Sequence, residues 1–174
     1  VLLPGFVIGL LLMKTFFSSL NAEPTKYRFT SITNKNGLSH NTVFDICQDQ
    51  KGFMWFATDE GLNRFDGQNI KQYFSGEKEN TIPSNSVKKL VYTPDNELFV
   101  GTDNGLALYN PETDDFTRYY YNDQSLGSII ELQYGHKNEL LVTTDDNGAF
   151  IFNYQKNSLK PVQFNDLRVF GIIT

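Results

Sequence analysis

Cysteine is almost missing from this chain. Cys47 is the only one among 174 residues, which excludes an internal disulfide and any zinc site built on cysteines. A lone thiol inside an apolar run reads as a buried strand residue rather than a nucleophile. Histidine occurs twice, as His40 and His136, each in a turn context without a second histidine or carboxylate at metal-ligand spacing. Basic residues are few and scattered: 15 Lys and Arg against 20 Asp and Glu leave a net charge of −5, and the longest basic cluster is Lys88-Lys89. That balance argues against nucleic acid as a partner, because phosphate backbones are held by clustered positive charge. Neither a G-x-S-x-G elbow nor a P-loop is present. Long apolar runs are lacking except at the start, where VLLPGFVIGLLLM carries no charge and Lys14 follows. Thirteen residues are short for a membrane span, so residues 1–22 are expected to be a signal peptide or apolar N-terminal segment, with cleavage after Ala22.

What the chain does have is one phrase written three times. FMWFATDEGLNRFD, ELFVGTDNGLALYN and ELLVTTDDNGAFIFN each run from an apolar stretch through Thr-Asp and a glycine turn to a second stretch ending in an aromatic and Asp or Asn. Upstream of each lies an apolar pair: Val43/Ile46, Val87/Leu90 and Ile129/Leu132, with a fourth at Val169/Ile172. Successive first members are 44, 42 and 40 residues apart. A period near 40–45 residues with several short strands per unit is that of a β-propeller blade.

The core phrase is too short for an independent helix and is bracketed by turn residues, so it reads as a strand. Alternation places Phe53, Trp55 and Ala57 on one face and Met54, Phe56 and Thr58 on the other. Both faces are mostly apolar, as for a strand covered on both sides. The turn Asp59-Glu60-Gly61 suits a hairpin in which the Asp side chain accepts local backbone bonds and glycine supplies positive φ. Asp103-Asn104-Gly105 repeats it, and 145–148 repeats it with one residue more. The three-residue spacing of Val43/Ile46 breaks strict alternation and predicts a bulge. Trp55, Phe99 and Leu141, with Gly61, Gly105 and Gly148, are the structural positions of the repeat.

The expected fold is all-β: a partial β-propeller of about three four-stranded antiparallel blades plus the first strand of a fourth. The bounds are a ring-closing candidate strand within 23–36, blades at 37–81, 82–126 and 127–166, and the start of a fourth at 167–174. Three blades cannot close a ring, so the natural product is expected to continue past Thr174. The polar segment 75–86 is a connection of the kind that carries recognition.

Two sets of residues are candidates for ligand contact. Asp59, Asp103 and Asp145 recur at one turn position, which fits turn geometry first and a polar ring around one end of the axis second. Tyr119, Tyr120 and Tyr121 fit an outer strand with alternating buried and exposed rings, and alternatively a flat platform for a sugar. No catalytic set, metal site or cofactor is expected.

The residues Asn41, Val43, Ile46, Asp49, Gly52, Trp55, Thr58, Gly61, Leu62, Phe65 and Asp66 resemble the two-component regulator propeller repeat. Asn85, Val87, Leu90, Gly101, Thr102, Gly105, Leu106, Tyr109 and Asn110 resemble it again, with Phe99 in place of tryptophan. The third copy departs more, with Leu141 for tryptophan, Gly127 for asparagine and Thr143 for the small residue. The resemblance covers about residues 27–174. It implies the extracytoplasmic, periplasmic sensor of a hybrid two-component histidine kinase anchored in the inner membrane. The implied partners are an oligosaccharide ligand and a downstream kinase module in the same polypeptide, with homodimerisation left open. A propeller enzyme acting on glycans, as hydrolase or lyase, and a protein-binding scaffold are the alternatives.

Overall fold

Turn chemistry decides where each central strand ends. Thr58, Thr102 and Thr144 donate their hydroxyls to the carbonyls of Gly61, Gly105 and Gly148 at 2.8, 3.0 and 2.7 Å. The same oxygens accept the N–H groups of Glu60, Asn104 and Asn147. All three glycines hold positive φ, between 76° and 126°, where a side chain would be strained. This corrects the role expected of the aspartates. The hydroxyl of the preceding threonine, anchored in the strand, reaches the turn first. Asp59, Asp103 and Asp145 contribute instead their backbone N–H, donated to the carbonyls of Thr42, Ser86 and Ser128.

The computed structural model describes residues 29–135 and 137–162. The chain divides into two units, Val1–Ser31 and Ile32–Thr174. The expected signal segment, Tyr27 and Arg28, His136, and the fourth-repeat pair Val169/Ile172 lie outside the described residues; residues 29–32 carry no strand. The described residues of the second unit form three antiparallel sheets. The first holds β1 (Val43–Gln48), β2 (Met54–Thr58), β3 (Gly61–Phe65) and β4 (Ile70–Tyr73) in sequence order. The second holds β5 (Val87–Tyr92), β6 (Leu98–Thr102), β7 (Gly105–Asn110), β8 (Asp115–Tyr121) and a two-residue β9 (Gln124–Ser125). The third holds β10 (Ile129–Tyr134), β11 (Glu139–Thr144), β12 (Ala149–Asn153) and β13 (Ser158–Pro161). Three sheets of up-and-down strands, each repeating the last, are propeller blades.

The bulge predicted from the three-residue spacing is present in every blade. Val43 pairs with Thr58 and Asp45 with Ala57, so Phe44 has no partner; Lys88 and Ile130 are skipped in the same way. One extra residue turns a spacing of three into same-face geometry. Val87 and Leu90 therefore both pack back onto blade 1, in a cluster with Trp55, Ala57 and Leu62. Ile129 and Leu132 pack onto blade 2 with Phe99 and Leu106. The fit is close: a Cβ on Gly101 would lie 2.7 Å from Ile129 Cγ2, so only glycine leaves room there. At the corresponding place in blade 1, Ala57 is fully buried. Ile46, the counterpart of Leu90 and Leu132, stands 50 % exposed on the leading side of blade 1, while its counterparts are at most 6 % exposed.

Polar contacts tie the inner strands together. The Asp45 carboxylate accepts the N–H of Leu90 at 2.9 Å, and one step on Lys89 pairs with Glu131 at 2.7 Å. The connector 75–86 is pinned rather than free. Arg118 of β8 donates to the carbonyls of Gly76, Lys78, Thr81 and Ile82 and to the Thr81 hydroxyl, while Ile82 is fully buried between blades 1 and 2. Phe116 donates its N–H to Asn80, and β9 pairs with Tyr120 and Tyr121, so the two connectors of blade 2 run down the outer edge of β8.

Candidate functional site

A cluster of polar and charged side chains lies at one end of the interface between blades 1 and 2. It begins with the β1–β2 turn. Asp49 accepts the N–H groups of Lys51 and Phe53 through Oδ1 and the indole N–H of Trp55 through Oδ2, at 2.8–3.0 Å. Turn and tryptophan are thereby locked together, and Trp55 is fully buried. Its ring lies edge-on to Tyr109 at 4.7 Å and stacks with Tyr73 at 5.7 Å. Arg64 of β3 lays its guanidinium over Phe53 at 4.9 Å and Trp55 at 5.6 Å, an arrangement in which ring faces stabilise the cation.

Asp114 completes the cluster from the β7–β8 turn, in the left-handed region at φ 57°. Its Oδ1 accepts the phenol protons of Tyr73 and Tyr109, each at 2.7 Å, and faces Arg64 at 3.4 Å; its Oδ2 is paired with Lys71. Burial opposes its ionisation, but the bonds from Lys71, Tyr73 and Tyr109 and the charge of Arg64 prevail, holding the carboxyl at about 2. Tyr73 and Tyr109 move the other way, above the ordinary tyrosine range, first because they are buried and then because Asp114 takes their protons in hydrogen bonds.

Above this floor opens a crevice of about 140 Å³. Its walls include Phe53 and Tyr92, both partly exposed, and its rim carries Gln50, Lys51 and Asn96. Arg64 reaches it with donors to spare. Nη1 serves Tyr109 and Asp114, whereas Nε and Nη2 have no partner among the described residues. No described side-chain nitrogen or oxygen is both fully buried and unpartnered, so those two atoms keep some contact with solvent. Aromatic walls with a few fixed polar groups are the usual make-up of a small-molecule site. Among the described residues no group of three metal-ligating side chains forms.

The residues singled out from the sequence lie elsewhere. Asp59, Asp103 and Asp145 sit at equivalent turns at the opposite end of the blades, all exposed. Asp59 accepts the Ser86 hydroxyl and faces Lys88 at 3.7 Å; the other two carboxylates have no side-chain partner among the described residues. The three tyrosines are not coplanar. Tyr119 and Tyr121 pack onto Phe152 and Phe150 of blade 3 at 4.6 and 5.0 Å, while Tyr120 turns outward to Glu79. Burial first, then the charge of Glu97, moves Tyr119 up to about 12. Cys47 is packed against the first core cluster, and burial followed by the charges of Asp45 and Asp49 pushes its thiol to about 12. Arg64 and Asp114 escaped the sequence reading. The available signal was departure from the repeat: where blade 1 has Asp49, Trp55 and Arg64, blade 2 has Thr93, Phe99 and Leu108.

Fold and site together define a β-propeller segment with a binding-type crevice between blades. Residues 37–60 match the model of the two component regulator propeller. Over 75 residues it is 38% identical to histidine kinase P4 of Formosa agariphila, a stretch covering 43% of this chain and 6% of that protein. The extracellular domain of BT3049 from B. thetaiotaomicron, assigned as a hybrid two component system, superimposes with a TM-score of 0.71 at 28% identity. That match covers 82% of this chain and 21% of the domain. A streptogramin B lyase shares the fold alone, at 14% identity and a TM-score of 0.54 over 71% of this chain and 41% of its own. This chain thus spans a small part of the two-component proteins it matches.

Proposed function

We propose that this chain is part of the extracytoplasmic sensor of a two-component histidine kinase, that it responds to oligosaccharides, and that it binds without turning them over. The observation that carries this reading is the likeness to the BT3049 extracellular domain across 82% of the chain. In this reading the kinase module follows in the same polypeptide, the parent is held in the inner membrane with these blades in the periplasm, and the segment before them directs export. The crevice between blades 1 and 2 is the primary ligand contact. The exposed Asp59, Asp103 and Asp145 turns offer a second polar rim at the other end. A signal requires ligand to bind one kinase state more tightly than the other.

The test is to incubate the full polypeptide with a panel of oligosaccharides and follow melting and product release together. Ligand at a hundredfold excess over its Kd is expected to stabilise the fold by about 2.7 kcal/mol, with no product. New reducing ends or unsaturated products would transfer the protein to the propeller hydrolases or lyases. A panel without any melting shift would remove oligosaccharides as its ligands.

A further inference from the structure

We propose that the crevice between blades 1 and 2 selects an acidic sugar, with the carboxylate of a uronic acid residue held by Arg64. The inference rests on the oligosaccharide reading above and names the class of sugar. Size comes first. A cavity of about 140 Å³ has the volume that in other proteins accommodates one six-membered ring, since a space of about 150 Å³ takes up benzene. It therefore has room for one edge of a single sugar ring, the carboxylate-bearing one, with the rest of that unit and of the chain lying out over Gln50 and Asn96. Phe53 and Tyr92 supply apolar surface for the carbon–hydrogen face of that ring.

Charge comes second. The guanidinium keeps Nε and Nη2 without a partner among the described residues and not wholly buried, and these adjacent N–H groups form the planar fork that matches the two oxygens of a carboxylate. The fork is held still by its bonds to Tyr109 and Asp114 and by the rings of Phe53 and Trp55, so little freedom remains to be lost on binding. The other acid on the wall does not compete, because Asp49 already spends its two oxygens on three N–H donors. Lys51 adds a second positive charge at the exposed rim. A neutral sugar would leave the Arg64 fork unanswered, and an acidic peptide would bring no flat carbon–hydrogen face to the aromatic wall.

The experiment titrates the full polypeptide calorimetrically with digalacturonate, with the neutral disaccharide galactobiose, and with an Asp-Glu dipeptide. Digalacturonate is expected to bind at least tenfold more tightly than either of the others and to weaken as salt is raised. Arg64→Lys, which keeps the charge and removes the fork, is expected to weaken binding about tenfold. Lys51→Ala, at the rim and outside the packed cluster, is expected to weaken it about threefold with unchanged melting. Equal or tighter binding of galactobiose overturns acid selection and leaves the oligosaccharide reading standing. Binding of the dipeptide as tight as digalacturonate overturns the sugar. Binding of neither disaccharide overturns this proposal, and a silent wider panel would overturn the reading beneath it. Digalacturonate affinity unmoved by both substitutions places its site elsewhere and overturns the assignment to Arg64.

Discussion

Between blades 1 and 2, Trp55 meets Tyr73 and Tyr109 with Arg64 and Asp114 set among them. Between blades 2 and 3 the same backbone positions hold Phe99, Tyr119 and Phe152, with Leu108 in place of the arginine and Asn157 in place of the aspartate. The second interface buries Phe99 and Phe152 completely, with no ion pair in its core among the described residues. The scaffold therefore does not require charge at this joint. Partly exposed ion pairs of this kind contribute little to stability, so the charged cluster of the first interface is weak evidence of structural need and better evidence of a task.

Three substitutions bear on this contrast. Trp55→Ala is expected to destabilise by about 3–5 kcal/mol in urea denaturation, as for any large buried aromatic. Phe99→Ala belongs to the same range but should cost less, because it leaves no carboxylate like Asp49 without its indole donor. Equal losses would mean that the Asp49 bond adds nothing to the first interface. Gly101→Ala should cost about 1–3 kcal/mol, since its new Cβ would stand 2.7 Å from Ile129. An unchanged denaturation midpoint would show that blades 2 and 3 are less tightly seated than described.

The smallest effect concerns acid. Asp114 lies at about 2 in the folded chain against an ordinary 3.8, so the unfolded chain binds more protons between those values. The stability it contributes is complete above about pH 4 and is lost as pH falls through about 2. Asp114→Asn should lower stability by about 1 kcal/mol at neutral pH, a modest figure because the carboxylate is one-third exposed, and should flatten the fall below pH 4. A variant whose acid limb matches the parent's would assign that fall to other carboxylates.

Much of the fold was legible in the repeats because its causes are local. Alternation, the glycine-closed turn and the three-residue spacing each reside within about twenty residues, and the bulges at Phe44, Lys88 and Ile130 fall where that spacing places them. The crevice was not legible, because it is built across a gap. Arg64 meets Tyr109 and Asp114 over separations of 45 and 50 residues, and no periodic pattern announces such a pair. The tyrosine run was legible from alternation: a pleated strand packs Tyr119 and Tyr121 inward and sends Tyr120 outward, so the three form no flat platform. The aspartates of the turns were conspicuous through recurrence, yet the buried threonines beside them hold the turn.

The two connectors that run down the outer edge of β8 have a consequence for solubility. An outermost strand offers a row of unsatisfied backbone groups on which another chain can add a strand and begin an aggregate. In blade 2 that row is occupied by Asn80 and by β9, with Arg118 clamping the segment between. The longest outer strand of the three, seven residues rich in tyrosine, is the one so shielded. The link that joins blade 1 to blade 2 thus also acts as a guard against fibre-like self-association, and severing it would expose the stretch of the chain best suited to nucleate it.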